Sequence, residues 1–141
     1  MPIRILLTYD GSKEALNAFE FARKLLRDST GELAMLAVIR PSEFAVDFGV
    51  QTLIQGVSDT IALDMERLQR RVSIAGVNAT TTIRIGNPSQ EILRMAREWR
   101  ADVIVAGHPT RSSFLSIFTG DLTRKLVARA PCPVLVVRTG S

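Results

Sequence analysis

Short apolar runs and helical stripes alternate along the whole chain. Residues 3–8 are rich in leucine and isoleucine and are interrupted only by Arg4, which predicts a strand buried on both faces. Asp10, Gly11 and Ser12 stop it. Ala15, Ala18, Phe19, Ala22 and Leu26 then recur at helical spacing, with Ser12 placed to cap the helix and Glu14 at its positive end. Residues 28–31 end that helix. Residues 33–39 read as a second apolar strand, stopped by Arg40 and Pro41. After an irregular stretch from Ser42 to about Val50, the stripe Val57, Ile61, Met65, Leu68, Val72 predicts a long helix, and Gly76 fits its C-terminal cap.

Residues 79–85 form a threonine-rich third strand. Asn87, Pro88 and Gln90 then mark a helix start: a cap, a proline at the first helical position, and a glutamine three residues after the cap. Ile92, Met95, Ala96 and Trp99 line one face of that helix. Residues 102–107 are a fourth strand, 122–129 a helix, and 133–138 a fifth strand beyond Pro131 and Pro133. Strands separated by helices require crossover connections. The expected class is therefore α/β, an open parallel sheet with helices on both faces.

Composition narrows this picture without changing it. The 141 residues suit one domain, 1–141, and 46% apolar content supports a sizeable core. The net charge of +4 suits a small anionic ligand. The basic residues are scattered over several helices, and no nucleic-acid reading motif accompanies them, so no nucleic-acid partner is expected. Cys132 is the one cysteine, which leaves no internal disulfide and fits a reducing compartment. The first residues lack the apolar stretch of a signal segment, and no run approaches the roughly 20 apolar residues of a membrane span. The expectation is a cytoplasmic protein without a membrane partner.

In an open doubly wound sheet, ligands favour the carboxyl ends of the strands, at the point where strand order reverses. Two loops suit that role. One is Tyr9-Asp10-Gly11-Ser12 after strand one. The other runs from Gly107 to Asp121 after strand four, opening and closing on glycine before a helix.

Four blocks together resemble the universal stress protein family. They are Tyr9-Asp10-Gly11-Ser12, Gly86-Asn87-Pro88, the strand-four block from Ala101 through Asp102 to Gly107, and the terminal block from Ala130 through Pro131, Cys132 and Pro133 to Val137. The resemblance covers almost the whole chain. It implies a five-stranded parallel sheet of order 3-2-1-4-5, a Rossmann-like fold of the adenine nucleotide α-hydrolase type. It also implies homodimers, often paired through the last strand. Some members bind ATP and some do not. The binders carry a glycine, two residues, a glycine, nine residues, a glycine and then serine or threonine, so that backbone and hydroxyl hold the phosphates.

This chain fits that pattern in part. Gly107 and Gly120 match the first and last glycines, Thr110 stands in the middle one, and Asp121 replaces the hydroxyl. Asp10 matches the aspartate that lies near ribose, phosphates and metal in binders, and Val38 a position whose backbone meets adenine. A non-glycine residue at a position needing positive φ costs roughly 1–3 kcal/mol. Two like charges about 4 Å apart repel by roughly 4 kcal/mol at an effective dielectric near 20. Magnesium or Arg111 would offset part of that repulsion. Asp121 also has a purely structural reading, as a cap that occupies the N–H groups a phosphate would use. ATP or AMP, with magnesium, stays open as ligand.

The remaining candidates have plain readings beside the functional ones. Asp10 makes ordinary turn hydrogen bonds as readily as it holds a ligand. His108, the sole histidine, has no visible triad partner, and Cys132 reads as a small core thiol. Phe44, Phe48 and Leu53 form either a flap or more packing. Arg67, Arg70, Arg71, Arg94, Arg97 and Arg100 read as a solvated face. Val134, Leu135, Val136 and Val137 would be an aggregation hazard as a bare sheet edge, and pairing with a second copy would cover them. No P-loop lysine motif, nucleophile elbow or metal-ligand cluster is present, so an enzyme of another class on this architecture is not expected. The family resemblance then implies a non-enzymatic stress-response or regulatory homodimer with a degraded nucleotide loop. A small anionic ligand or a protein partner would be its means of action. A nucleotide-binding regulatory member, with slow or no hydrolysis, is the alternative.

Overall fold

The computed structural model describes residues 2–27, 30–41, 50–108 and 120–138. Within them run β1 (Arg4–Thr8), α1 (Lys13–Leu25), β2 (Glu32–Ile39), α2 (Val50–Ile74), β3 (Asn78–Ile85), α3 (Pro88–Trp99), β4 (Val103–Gly107), α4 (Gly120–Arg129) and β5 (Val134–Val137). The strands form one parallel sheet in the order β3-β2-β1-β4-β5, so β1 and β4 are neighbours as expected. Thr110, Arg111, Phe44, Phe48 and the side chain of Leu53 lie outside the described residues.

The sheet divides the core in two. Ile5, Leu7 and Tyr9 of β1 and its exit pack with Ala15, Phe19 and Met65 under α1 and α2. Leu6 faces the other way and packs with Leu36, Ile92 and Leu126 under α3 and α4. Alternate residues of one strand therefore serve opposite cores, which is why β1 reads as an unbroken apolar run. Arg4 escapes this constraint by standing at the strand's first position. Its Nη1 donates to the Trp99 carbonyl at 2.8 Å, and its guanidinium lies 5.7 Å from the Trp99 ring centroid. Trp99 is thus half-buried beneath a cation, at the edge of the core.

The two caps legible in the sequence form. Ser12 Oγ accepts from the Ala15 N–H at 3.1 Å, and Asn87 Oδ1 accepts from the Gln90 N–H at 3.2 Å. Gly76, with φ at +88°, follows α2 in the left-handed region. At the end of α3 the same geometry falls on Arg100, with φ at 58°. A side chain there costs roughly 1–2 kcal/mol, so glycine is the usual occupant. The Ala101 N–H reaching the Ala96 carbonyl at 3.0 Å holds the turn.

Arg71 corrects one expectation. It is not simply solvated: Nη2 donates to Glu20 Oε1 at 2.7 Å, and the guanidinium lies 5.4 Å from the Phe19 ring centroid. Partial burial alone would raise the Glu20 pKa. Hydrogen bonds from Arg71 and Arg23 outweigh that effect and hold the carboxyl below its usual range.

Both sheet edges can be read from the hydrogen-bond pattern. The Ile104 N–H donates to the Pro133 carbonyl at 3.0 Å and the His108 N–H to the Val137 carbonyl at 2.8 Å. Pro133, Leu135 and Val137 thus turn their backbone toward β4. By alternation, Val134 and Val136 turn theirs outward. On the opposite edge, Gln69 Nε2 of α2 donates to the Ala79 carbonyl of β3 at 2.7 Å.

Candidate functional site

A cleft of about 570 Å³ opens at the carboxyl ends of β2 and β3 and reaches the start of α4. Arg40 and Pro41, which follow β2, form one wall. Gly86, Asn87, Pro88 and Ser89, which lead from β3 into α3, form the floor. Asp121, Leu122 and Lys125 of α4 close the far side. The position agrees with the rule that an open α/β sheet binds ligands beyond the carboxyl ends of its strands, but it lies beyond β2 and β3 and not at the β1–β4 reversal expected from the sequence.

The floor is held by local chemistry. Asn87 Oδ1 also accepts from Ser89 Oγ at 2.8 Å, so the carboxamide that caps α3 fixes the serine as well. Ser89 is buried. On the far wall the Asp121 carboxylate pairs with Lys125 at 3.3 Å and with Arg124 at 3.4 Å. Asp121 is the second residue of α4, beyond the capping position. Its carboxylate reaches along its own helix to cations three and four residues on, the spacing that helix faces favour. This differs from the expected cap. The consequence for an anion is similar, because the cation on this wall already has a carboxylate beside it.

Asp10 sits in the β1–α1 turn, where Oδ1 accepts from the Ser12 N–H at 2.9 Å. It is buried, and Gly11 beside it has φ at +83°. Val38 is buried among the α3 and α4 residues. The Tyr9 N–H donates to the Leu36 carbonyl at 2.8 Å, just past the end of β1. Val38 lies two residues further on β2, so its backbone N–H and C=O face the same side, beyond β1.

Gly107 has a structural cause of its own. A Cβ added there would lie 2.6 Å from the Glu14 carbonyl oxygen and 2.7 Å from its carbon, so α1 crosses β4 at backbone contact. Gly120 is different: a Cβ there meets nothing within 4 Å. The described wall of the cleft includes Asp121 but not Asp10, Val38, Gly107, Gly120 or His108.

The family model for the universal stress protein family matches residues 1–138. The chain belongs to that family. Among curated relatives, this universal stress protein is 31% identical over 139 residues to the universal stress protein in the QAH/OAS sulfhydrylase 3′ region of Thermus aquaticus, covering 95% of this chain and 97% of that one. Its fold is similar to that of universal stress protein UspA from Lactobacillus plantarum, with a TM-score of 0.75, 26% identity, and 96% and 97% of the two chains covered. It is also similar in fold to a universal stress protein family protein of Arabidopsis thaliana with AMP bound, with a TM-score of 0.74, 20% identity, and 99% and 94% coverage.

Arg40, Asn87, Ser89 and Lys125 line the cleft of this universal stress protein, yet the sequence reading assigned them no ligand role. A usable signal was present, since Arg40 and Asn87 follow strands whose carboxyl ends face the same side as those of β1 and β4. Cys132 keeps its plain reading. It packs against the α3 and α4 core, and burial pushes its thiol pKa up, away from the reactive range. No group of three or more metal-ligating side chains occurs among the described residues, and no described helix is long and apolar enough to cross a membrane.

Proposed function

We propose that this universal stress protein is a non-catalytic regulatory homodimer whose cleft takes an adenosine monophosphate in preference to a triphosphate. The observation that carries the reading is Asp121 in the cleft wall, paired with Lys125 at 3.3 Å. A long phosphate chain reaching α4 would meet the Asp121 carboxylate and a cation, Lys125, that already has that carboxylate beside it. A single phosphate can stay near Arg40 and the α3 start. The backbone N–H and C=O of Val38, just outside the described lining, face the side beyond β1 and would offer adenine edges hydrogen-bond partners if the base extends past the cleft. The AMP held by the Arabidopsis thaliana relative supports the same ligand class.

Calorimetry with nucleotide-stripped protein tests this. AMP should bind more tightly than Mg-ATP. Asp121→Ser should raise ATP affinity by about tenfold, equal to 1.4 kcal/mol, and leave AMP within a factor of about two. Equal gains for both nucleotides, or ATP binding the unaltered protein more tightly than AMP, would sink the proposal.

The homodimer rests on β5. Val134, Leu135, Val136 and Val137 are half-buried at the sheet edge, and Val134 and Val136 carry outward backbone groups. Two-fold pairing of this edge would join two sheets into one. Val136→Pro removes an outward N–H and leaves the β4 ladder intact. Sedimentation should show a dimer for the unaltered chain and a folded monomer for the variant. A variant that stays dimeric would move the interface elsewhere.

A further inference from the structure

On the sheet face opposite the cleft, α1 and α2 enclose a groove of about 470 Å³. We infer that this groove is a second ligand site, for a small molecule with an apolar body and one anionic group. Tyr9, Leu16 and Leu68 supply apolar walls, and Lys13 and Arg67 stand at the rim. Such a mostly apolar concavity with a few convergent polar groups is the usual form of a small-molecule site.

The charges select the anion. Three cations line the groove, Lys13, Arg67 and Arg71, against one carboxylate, Asp64. Arg71 is committed to Glu20 at 2.7 Å and to the Phe19 ring. Lys13 and Arg67 are exposed at the rim, and together they outnumber Asp64. A neutral or cationic ligand would leave that excess unanswered. Tyr9 adds a polar handle within the apolar walls. It is buried, and burial, with the charges of Asp64 and Asp10, pushes its pKa up to about 12, so the phenol keeps its proton at neutral pH. It can then donate to an anionic oxygen.

The groove shares no lining residue with the cleft, although Tyr9, Gly11 and Ser12 flank Asp10, which the family resemblance places near a nucleotide. Its residues come from the β1 exit, α1 and α2, while the cleft uses the residues after β2 and β3 and the start of α4. The chain contains one tyrosine and one tryptophan. Tyr9 belongs to the groove, and Trp99 packs on the other face. Each ring therefore reports on one side of the sheet.

The test is an NMR titration with 1-naphthoate, followed at both rings. The Tyr9 ring resonances should shift saturably while the Trp99 indole stays in place. The double variant Lys13→Ala, Arg67→Ala should weaken binding by about tenfold. The alcohol 1-naphthalenemethanol should bind about tenfold more weakly than the carboxylate to the unaltered protein. Equal affinity for the alcohol, shifts confined to Trp99, an unaffected double variant, or no saturable shift at millimolar probe would each overturn the inference. AMP moving the Tyr9 ring in the same way would also overturn it, by assigning the groove to the nucleotide.

Discussion

Replacing Gly107 by alanine is expected to destabilise the protein by about 3 kcal/mol, at the upper end of the usual cost of overpacking. The added Cβ would stand 2.6 Å from the Glu14 carbonyl oxygen and 3.0 Å from the Glu14 Cβ. The first of these neighbours is helix backbone, which cannot swing aside as a side chain can. Relief requires α1 to lift from β4, and α1 is held down by Phe19, Ala15 and Ala18, all fully buried. Gly120→Ala is the control. Its Cβ enters open space at the start of a helix, so stability should stay the same or rise by up to about 1 kcal/mol. Urea unfolding of both variants decides the matter. An unchanged midpoint for Gly107→Ala would mean that the strand–helix contact does not require glycine. The comparison bears on function too. Lost ligand binding in a Gly107 variant would report a displaced helix before it reported a missing phosphate contact.

Phe19→Ala should cost about 3–5 kcal/mol, the range for deleting a buried aromatic ring. The ring is fully buried and packs in the core shared by β1, α1 and α2. Arg71 covers one ring face at 5.4 Å, a contact worth roughly 0.5–1 kcal/mol at a site of this exposure. Against a typical domain stability of about 5–15 kcal/mol, the loss is large enough to approach unfolding at physiological temperature. Phe19→Leu separates the two contributions, because it keeps most of the volume and loses the π face. Chemical unfolding should place the leucine variant well above the alanine one. A measured loss below about 1 kcal/mol for Phe19→Ala would contradict the packing described.

The alternation of apolar runs and helical stripes made the element order legible, and the caps at Ser12 and Asn87 made two helix starts legible. These signals lie within one element each, where spacing alone carries the information. The strand order came from the resemblance, since periodicity does not say which strands are neighbours. The cleft was less legible, because its wall joins Arg40, Asn87 and Lys125 from three separate parts of the chain, and each is an ordinary polar residue in its own segment. Gly107 and Gly120 looked equivalent as members of one spaced pattern. Only the approach of Glu14, far back in the chain, separates them. Arg100 gave no warning of its left-handed backbone, because arginine has no preference for that region. For Asp121, the spacing to Arg124 and Lys125 was available in the sequence, and it describes the carboxylate better than a capping role does.

The bond from Gln69 to the Ala79 carbonyl has a consequence for how far assembly can go. Ala79 lies on the outer margin of β3, at the end of the sheet opposite β5. A foreign strand arriving there must first displace an amide already seated at 2.7 Å. The β5 end carries the outward groups of Val134 and Val136. If two copies pair through β5 as proposed, each end of the joined sheet presents a β3 margin on which the Ala79 carbonyl is already bonded. The same glutamine that packs α2 onto its neighbouring strand would then deny an incoming strand one of the carbonyls of that margin.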